Sequence, residues 1–486
     1  MSLTKLYQHL EKIYHLNSIS SLLSWDQETY MPEKAYAHRA KQMGVIAGLV
    51  HYYKTVELRE ILKDIPIHEL HETDRLIVQK IQYDLEKWLK IPEKLAVEIT
   101  EVSSQAQYHW DKAKKNNDFP LFAPYLSKLV SLKIEEANCL GYEDCPYDAL
   151  LDHYENGLKS SDFERIIKPV VQQLYQKQSY EKPQHNPFHQ FIPVAEQLAF
   201  ANQFIQDLGF DFTRGRQDLS SHPFSNAISV HDVRITTRIH ENDLQYMLYS
   251  TIHETGHALY ELGLNDTLLG TPFSEPCSLT IHESQSRFWE NNIGRSLPFC
   301  KFLARKLEEY LPKYFHNVNP YELFEVLNFV KPSLIRTESD EVTYHLHIAL
   351  RFELEKALIN QEISVQDLPA LWNEKVSNYL GITPPNDTFG VLQDVHWSAG
   401  LFGYFPTYSL GSFYAAQIYL HLQSLFPDFD EQTEKGNFGF IHQWLKENIY
   451  SKGRLYFSHE ILEQATGKPL EANAFLNYIS SKITWV

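Results

Sequence analysis

The sequence predicts a mainly α-helical protein with one small sheet lying just ahead of a helix that carries two histidines one turn apart. Three observations predict it. Apolar residues recur at helical spacing from the N-terminus to about residue 210. One β-branched, partly alternating stretch follows, within about residues 221–241. Helical spacing then resumes at Leu244 and runs through Ile252-His253-Glu254-Thr255-Gly256-His257.

In the first region, Leu3, Leu6, Tyr7, Leu10, Ile13 and Tyr14 form one apolar stripe. Leu76, Ile77, Ile81, Tyr83, Leu85 and Leu89 form another, and Val170, Val171, Leu174 and Tyr175 belong to a third. The breaks at Met31-Pro32-Glu33, Ile91-Pro92, Asn117-Asp118-Phe119-Pro120 and Lys182-Pro183-Gln184 carry turn chemistry and are too short for interdomain linkers. No fixed repeat period is present, which argues against a solenoid. With 486 residues and 43% hydrophobic content, a substantial core can form. A single domain is therefore expected over 1–486: a helical body to about 210, the strand region, two functional helices over about 244–293, and a helical part from about 300 onward.

Composition narrows the function classes. Lys plus Arg number 44 against 62 for Asp plus Glu, a formal charge of -18 that repels nucleic acid and anionic membrane. The first ten residues follow helical spacing instead of a signal peptide's apolar core, and no apolar run approaches bilayer length. Cys139, Cys145, Cys277 and Cys300 are too few and too scattered for a disulfide framework or a zinc ribbon. A soluble, reducing, cytoplasmic setting is expected.

The strand region centres on Ile228-Ser229-Val230-His231-Asp232-Val233-Arg234-Ile235-Thr236-Thr237-Arg238-Ile239, which reads as one or two strands in a small antiparallel sheet. An edge strand there can hold an extended peptide by main-chain pairing, or the sheet can simply cap the helical body. In the next helix, Leu244, Met247, Leu248, Ile252, Leu259 and Leu262 make the apolar stripe and Gly263 is the expected stop. His253 and His257 then share a face and can share one metal ion, with Glu254 leaning to its side. A loop with Gly270, Pro272 and Pro276 leads to Ser278, which can cap a second helix from Leu279 to about Ile293, closed by Gly294.

Two histidines do not complete a catalytic zinc site, which takes three protein ligands and leaves one position for water. The pattern with a third His soon after is excluded, because Tyr260 replaces its Gly and Gly263 its His. The following helix offers Glu283, with His282 as the local rival; the carboxylate better matches a two-His, one-Glu hydrolase site. His345 and His347 lie in Ile335–Ile348, a stretch that reads as helix, where residues i and i+2 do not face each other. They do not make a second site by themselves, although His347 can line a cleft.

The chain closely resembles the carboxypeptidase Taq family of metal-dependent carboxypeptidases, nearly end to end. The residues that carry the resemblance begin with Trp25-Asp26-Gln27-Glu28-Thr29-Tyr30-Met31-Pro32, Gly141-Tyr142 and Pro146-Tyr147-Asp148-Ala149-Leu150-Leu151-Asp152. His222-Pro223-Phe224, Asp232-Val233-Arg234-Ile235-Thr236, the His-Glu-x-x-His and His282-Glu283-Ser284-Gln285 follow. Ile335-Arg336-Thr337 through Arg351, Gln393-Asp394-Val395-His396-Trp397-Ser398 and Phe402-Gly403-Tyr404-Phe405-Pro406-Thr407-Tyr408 complete the set. Ser339 is the one departure, where the family leads one to expect Ala. The resemblance implies a large helical zinc-peptidase fold with a deep central cleft, a homodimer, and removal of single C-terminal amino acids with broad specificity that spares a C-terminal Pro. It implies zinc as the metal, with cobalt also supporting activity.

Roles follow for named residues. An ion at His253, His257 and Glu283 acidifies a water and polarises the scissile carbonyl, and Glu254 takes the proton and passes it to the leaving amine. By resemblance to helical zinc peptidases, His396 and Tyr408 are the candidates for donors to the developing oxyanion. A peptide with a free C-terminal carboxylate needs a local cation in so acidic a protein. Arg336 is the family-supported choice, against an i,i+4 pair with Asp340. Arg234, with Asp232, can close the groove end or form a structural ion pair. Asp340 is also a candidate acceptor behind a ligand His. The rival readings are a helical zinc endopeptidase or dipeptide-releasing carboxypeptidase, and a non-enzymatic scaffold with structural zinc. An aminopeptidase is disfavoured because no Gly-x-Met-Glu-Asn motif is present.

Overall fold

A computed structural model describes residues 2–175 and 185–482, and the chain within them is mainly helical. The Lys182-Pro183-Gln184 turn lies outside the described residues, as does the side chain of Tyr175. The other three predicted breaks fall between helices, at residues 30–32, 91–92 and 117–118. At the last of these Asn117 takes a left-handed C-cap conformation, and the Asp118 side chain accepts from the Leu121 N–H to start the next helix. No helix among the described residues is long and apolar enough to cross a membrane.

The chain divides into two compact units: Met1–Glu86 with Pro183–Leu327 and Tyr414–Leu470, and Lys87–Lys182 with Asn328–Phe413 and Glu471–Val486. In the first, the long helix Ser2–Thr29 buries the predicted Leu6, Leu10 and Ile13, and Leu6 and Leu10 pack with Ile77, Ile81 and Leu85 of helix Glu72–Lys90. The same cluster takes in Leu58, Ile61, Leu62 and Ile65, so one apolar stripe from each of several helices closes a common core. Leu89, at the end of the second stripe, is exposed.

The sheet corrects the expectation of a purely antiparallel one. It has three strands, β1 (Gly215–Leu219), β2 (Ser225–Ser229) and β3 (Asp232–Thr237), in the order β1-β3-β2. β2 and β3 form the antiparallel hairpin, with a bulge between Ala227 and Ser229, while β1 lies parallel to β3. β1 reads Gly-Arg-Gln-Asp-Leu, with no β-branched or aromatic residue, so it lacks a strand signal of its own; its ladder with β3 makes it a strand.

β3 faces the helix Leu244–Gly263, hereafter the His helix. Val233 and Ile235 pack with Ile205, Phe210, Ala258 and Leu262 in one core. Hydroxyls tie the two elements together: Thr251 Oγ1 donates to Thr237 Oγ1 at 2.9 Å, and Gln217 Nε2 of β1 donates to Thr251 Oγ1 at 3.1 Å. The His helix begins at Asp243, whose side chain accepts from the Tyr246 N–H. Its predicted stripe is buried, and Thr251, Thr255, Ala258 and Tyr260 are buried as well, so the helix is packed nearly all round. Gly263 is the last residue of the helix, and its lack of a side chain serves packing: a Cβ there would lie 2.3 Å from Cδ2 of the Tyr450 ring.

In the second unit the helix Tyr344–Ile359 is buried along most of its length. The stretch Ile335–Ile348 is therefore not one helix. Arg336–Glu338 forms a single tight turn, and the α-helix starts only at Tyr344. The cause is Asp340, whose carboxylate accepts from the Val342 and Thr343 N–H groups at 2.9 Å each and holds the chain in a turn. His345 Nδ1 pairs with Ser409 Oγ and His347 Nε2 with the Ser333 carbonyl, each at 2.9 Å, so both histidines are tied into the core of this unit.

Candidate metal centre and active site

The second functional helix runs Leu279–Arg287, hereafter the Glu helix, and Ser278 caps it by accepting from the Ile281 N–H. The sequence predicted a plain helix to about Ile293; instead Phe288–Ile293 continues as a π-helical turn. That turn carries Glu290.

The His and Glu helices touch backbone to backbone at Gly256. A Cβ at this position would lie 2.6 Å from the Gln285 carbonyl oxygen and 2.6 Å from Ser286 Cα. Glycine between the two histidines thus lets the Glu helix come close enough for its carboxylate to reach them. As a result His253 Nε2 stands 3.8 Å and His257 Nε2 3.5 Å from Glu283 Oε2. One ligand atom from each of the three residues falls within 4.8 Å of the others, the one such grouping of its kind among the described residues. Two imidazole nitrogens and a carboxylate oxygen converging on one point is a donor set suited to a divalent ion of the zinc type.

The surroundings prepare these donors. Burial opposes ionisation of Glu283, but Arg287, His253 and His257 hold its carboxyl well below the usual carboxylate range. Arg287 Nε donates to Glu283 Oε1 at 2.7 Å. Burial pushes His257 down to about 3, so its imidazole is neutral and its nitrogen lone pair available. His253 is shifted upward, because Glu283 and Glu290 outweigh its burial. Burial pushes Glu254, adjacent to His253 on the His helix, up to about 7, in the range of a working general base.

Both histidines are held from behind. His253 Nδ1 pairs with Glu290 Oε2 at 2.8 Å, and Glu290 is itself bound by Arg287 and Arg295, each at 3.2 Å. His257 Nδ1 pairs with His282 Nδ1 at 2.6 Å, and His282 Nε2 with Glu261 Oε1 at 2.9 Å. His282 therefore stands behind His257, and the grouping that converges takes in Glu283 and not His282. Sequence reasoning missed Glu290 and Glu261. Glu290 lies seven residues from Glu283, two turns on, but acidic and basic residues at such spacing usually mark a solvated face.

A second constellation lies in the second unit and gathers Arg336, His396 and Tyr408. Arg336 is 6% exposed and does not pair with Asp340. Its Nε and Nη2 both lie 3.0 Å from Asp394 Oδ1, its Nη1 donates to Tyr344 Oη at 2.9 Å, and its guanidinium sits over the Tyr408 ring at 4.9 Å. Arg351 grips the other oxygen of Asp394 at 2.6 Å and also reaches Gln393 Oε1 at 2.7 Å. Two guanidinium groups thus share one carboxylate. Burial opposes the charge on Asp394, but Arg351 and Arg336 hold it well below its ordinary value. His396 Nε2 pairs with Tyr408 Oη at 3.1 Å, and burial pushes His396 down to about 3, so it adds no charge. The cluster carries a surplus of positive charge, which suits an anion.

Arg234 and Asp232 pair with each other in a two-pronged fork, Nε and Nη2 each 2.8 Å from a carboxylate oxygen, and Arg234 lies over Trp25 at 5.7 Å. Asp340 accepts from the Lys331, Val342 and Thr343 N–H groups and from Thr343 Oγ1. The carboxylate behind His253 is Glu290, not Asp340.

Comparison with known proteins places the chain in a family. A model of the carboxypeptidase Taq (M32) metallopeptidase family matches residues 5–483. The chain is 38% identical to thermostable carboxypeptidase 1 of Pyrococcus furiosus over 484 residues, covering 97% of this chain and 96% of that protein. It is 38% identical to carboxypeptidase 1 of Bacillus subtilis over 483 residues, with the same two coverages of 97% and 96%. Among solved structures, an M32 carboxypeptidase from Deinococcus radiodurans superposes with a TM-score of 0.95 at 34% identity, covering 99% of this chain and 98% of that one.

Proposed function

Because this chain belongs to the carboxypeptidase Taq (M32) metallopeptidase family, we propose that it is a zinc-dependent carboxypeptidase. It releases single C-terminal amino acids from peptides with broad specificity and spares a C-terminal Pro. The observation that carries this reading is the convergence of His253, His257 and Glu283 next to Glu254, in a chain matched nearly from end to end by the family.

His253, His257 and Glu283 hold the metal, for which zinc is the proposal and cobalt a competent substitute. When bound, the ion supplies Lewis acidity, lowering the pKa of a water and polarising the scissile carbonyl. Glu254 accepts the proton of the attacking water on its carboxylate and delivers it to the departing amine nitrogen. Its buried setting and its elevated proton affinity support that assignment. His396 and Tyr408 are proposed as hydrogen-bond donors to the oxyanion, supported by the neutrality of His396 and its bond to Tyr408.

Arg336 is proposed to receive the free C-terminal carboxylate of the substrate. Its support is the charge balance around Asp394, where two arginines meet one carboxylate and leave positive charge over. For Arg234 and Asp232 the proposed role is indirect: their mutual fork leaves them shaping a groove end more readily than binding substrate. A homodimer in the cytoplasm is proposed on the family resemblance and on the few, scattered cysteines.

Timed mass spectrometry of an unblocked peptide with the zinc-loaded enzyme tests this. A ladder of single C-terminal losses, abolished by C-terminal amidation and halting at Pro, is the expected result. Internal cleavage, loss of dipeptides, or equal cleavage of the amidated peptide would replace the reading with an endopeptidase or a dipeptide-releasing enzyme.

A further inference from the structure

The two histidines of the centre are supported in different ways, and the difference is chemical. His253 Nδ1 meets a carboxylate directly, at Glu290 Oε2. His257 Nδ1 meets another imidazole nitrogen, His282 Nδ1, at 2.6 Å. Two ring nitrogens at that distance share one proton, so one of them donates and the other accepts.

The direction is set by what His257 faces on its other side. Its Nε2 points to Glu283 Oε2 at 3.5 Å, within the converging donor set. A neutral imidazole that gives its Nε2 lone pair to a cation carries its proton on Nδ1. His257 Nδ1 is then the donor and His282 Nδ1 the acceptor. A neutral His282 that accepts at Nδ1 has its own proton on Nε2, and that nitrogen faces Glu261 Oε1 at 2.9 Å. Every atom in the chain Glu261, His282, His257 has a consistent role. The His282 ring is also seated edge-on against Tyr260 at 5.2 Å, which fixes its plane.

We propose that His282 and Glu261 form a positioning relay that selects the tautomer and orients the ring of His257, and so sets how tightly the centre holds its divalent ion. This rests on the metal-centre reading above. Neither residue touches substrate or the reacting atoms; both act through His257. Glu290 does the same for His253 in one step, so the centre is braced on both imidazoles by carboxylates of opposite reach, one direct and one through a second ring.

Zinc dissociation constants, measured by competition with a chelator of known affinity, test the relay in wild type, His282→Ala, His282→Asn and Glu261→Ala, with the melting temperatures of the metal-free proteins alongside. His282→Ala is expected to weaken zinc binding by about 10- to 100-fold. His282→Asn, whose Oδ1 can take the place of Nδ1 as acceptor, is expected to restore most of that loss. Glu261→Ala is expected to fall between. In the cobalt-substituted protein, proton NMR should show an exchangeable ring N–H from each ligand histidine, and His282→Ala should remove the His257 signal while keeping that of His253. An unchanged zinc dissociation constant in His282→Ala overturns the relay. So does a His282→Asn variant as weak as His282→Ala, since packing would then account for both. If wild type binds no stoichiometric zinc, or His257→Ala binds as tightly as wild type, the metal-centre reading itself fails.

Discussion

Replacing Gly256 with Ala tests how the centre is assembled, because two effects of opposite sign meet there. Alanine is the better helix former by about 1 kcal/mol, and on a free helix the change would stabilise. In this protein the new Cβ meets the Gln285 oxygen and Ser286 Cα at 2.6 Å and the Gln285 carbonyl carbon at 3.0 Å. All three are backbone atoms of the Glu helix, so no side chain can swing aside. To recover an ordinary contact of about 3.4 Å the two helices must part by about 0.8 Å, an overpacking that costs about 1–3 kcal/mol. Overpacking outweighs propensity, and the net loss of stability is up to about 2 kcal/mol. Glu283 rides on the helix that moves, while metal ligation tolerates shifts of only about 0.2 Å. The expected outcome is a folded protein whose melting temperature falls by a few degrees and whose zinc affinity falls by about tenfold or more. Calorimetry of the metal-free protein and chelator competition of the loaded one measure the two separately. A Gly256→Ala variant with wild-type zinc affinity would refute the argument that this backbone contact places Glu283, and a raised melting temperature would show that propensity had won.

The remaining predictions concern the chemistry and the pH response. Glu254→Gln should keep stoichiometric zinc and lose about 100- to 10,000-fold in kcat, since the amide cannot accept the water's proton; full turnover in that variant sinks the general-base role. Arg336→Ala should lower kcat/KM for a free-acid peptide by about 10- to 100-fold and leave the poor rate on the amidated peptide nearly unchanged. An unaltered ratio between the two peptides removes Arg336 from carboxylate recognition. Glu355 is fully buried, accepting from Tyr147 Oη, Trp397 Nε1 and the Gly403 N–H, and burial pushes it up to about 7. A carboxyl raised in the folded state favours folding most below its unfolded value of about 4.3, and that contribution is lost as pH rises toward 7. The change is about 3 kcal/mol over that window, so wild type should gain stability relative to Glu355→Gln on going from pH 7.5 to pH 5. A stability difference that stays constant across this range would show that Glu355 is not the titrating group.

Much of the fold could be read from the chain because helical periodicity is a local property. Leu6, Leu10 and Ile13, or Leu244, Met247 and Leu248, announce a buried face whatever they pack against, and all six are buried. The cap at Ser278 was legible because a cap acts within three residues of itself; Asp118 and Asp243 cap their helices by the same local bond, although the sequence reading marked the first only as a turn and did not mark the second. β1 escaped because its five residues carry no strand propensity, and its conformation comes from β3, about 18 residues away along the chain. The late start of the helix at Tyr344 escaped because the Asp340 side chain competes with the helix for the same N–H groups, and periodicity does not register that contest.

The site divides along the same line. The sequence by itself determined which candidate groups share a face: two imidazoles one helical turn apart, a carboxylate next to the first, and another carboxylate one helix later, because spacing along a helix converts directly into a shared face. It also carried the family. Only the tertiary structure decided which nitrogen of each histidine faces the ion position and which is turned to Glu290 or His282. Only it showed that Gly256 is there for the approach of a second backbone, and that the partner of Arg336 is Asp394, shared with Arg351. These are contacts between segments far apart in the chain, fixed by packing and by the requirement that buried charges be paired. No local rule contains them.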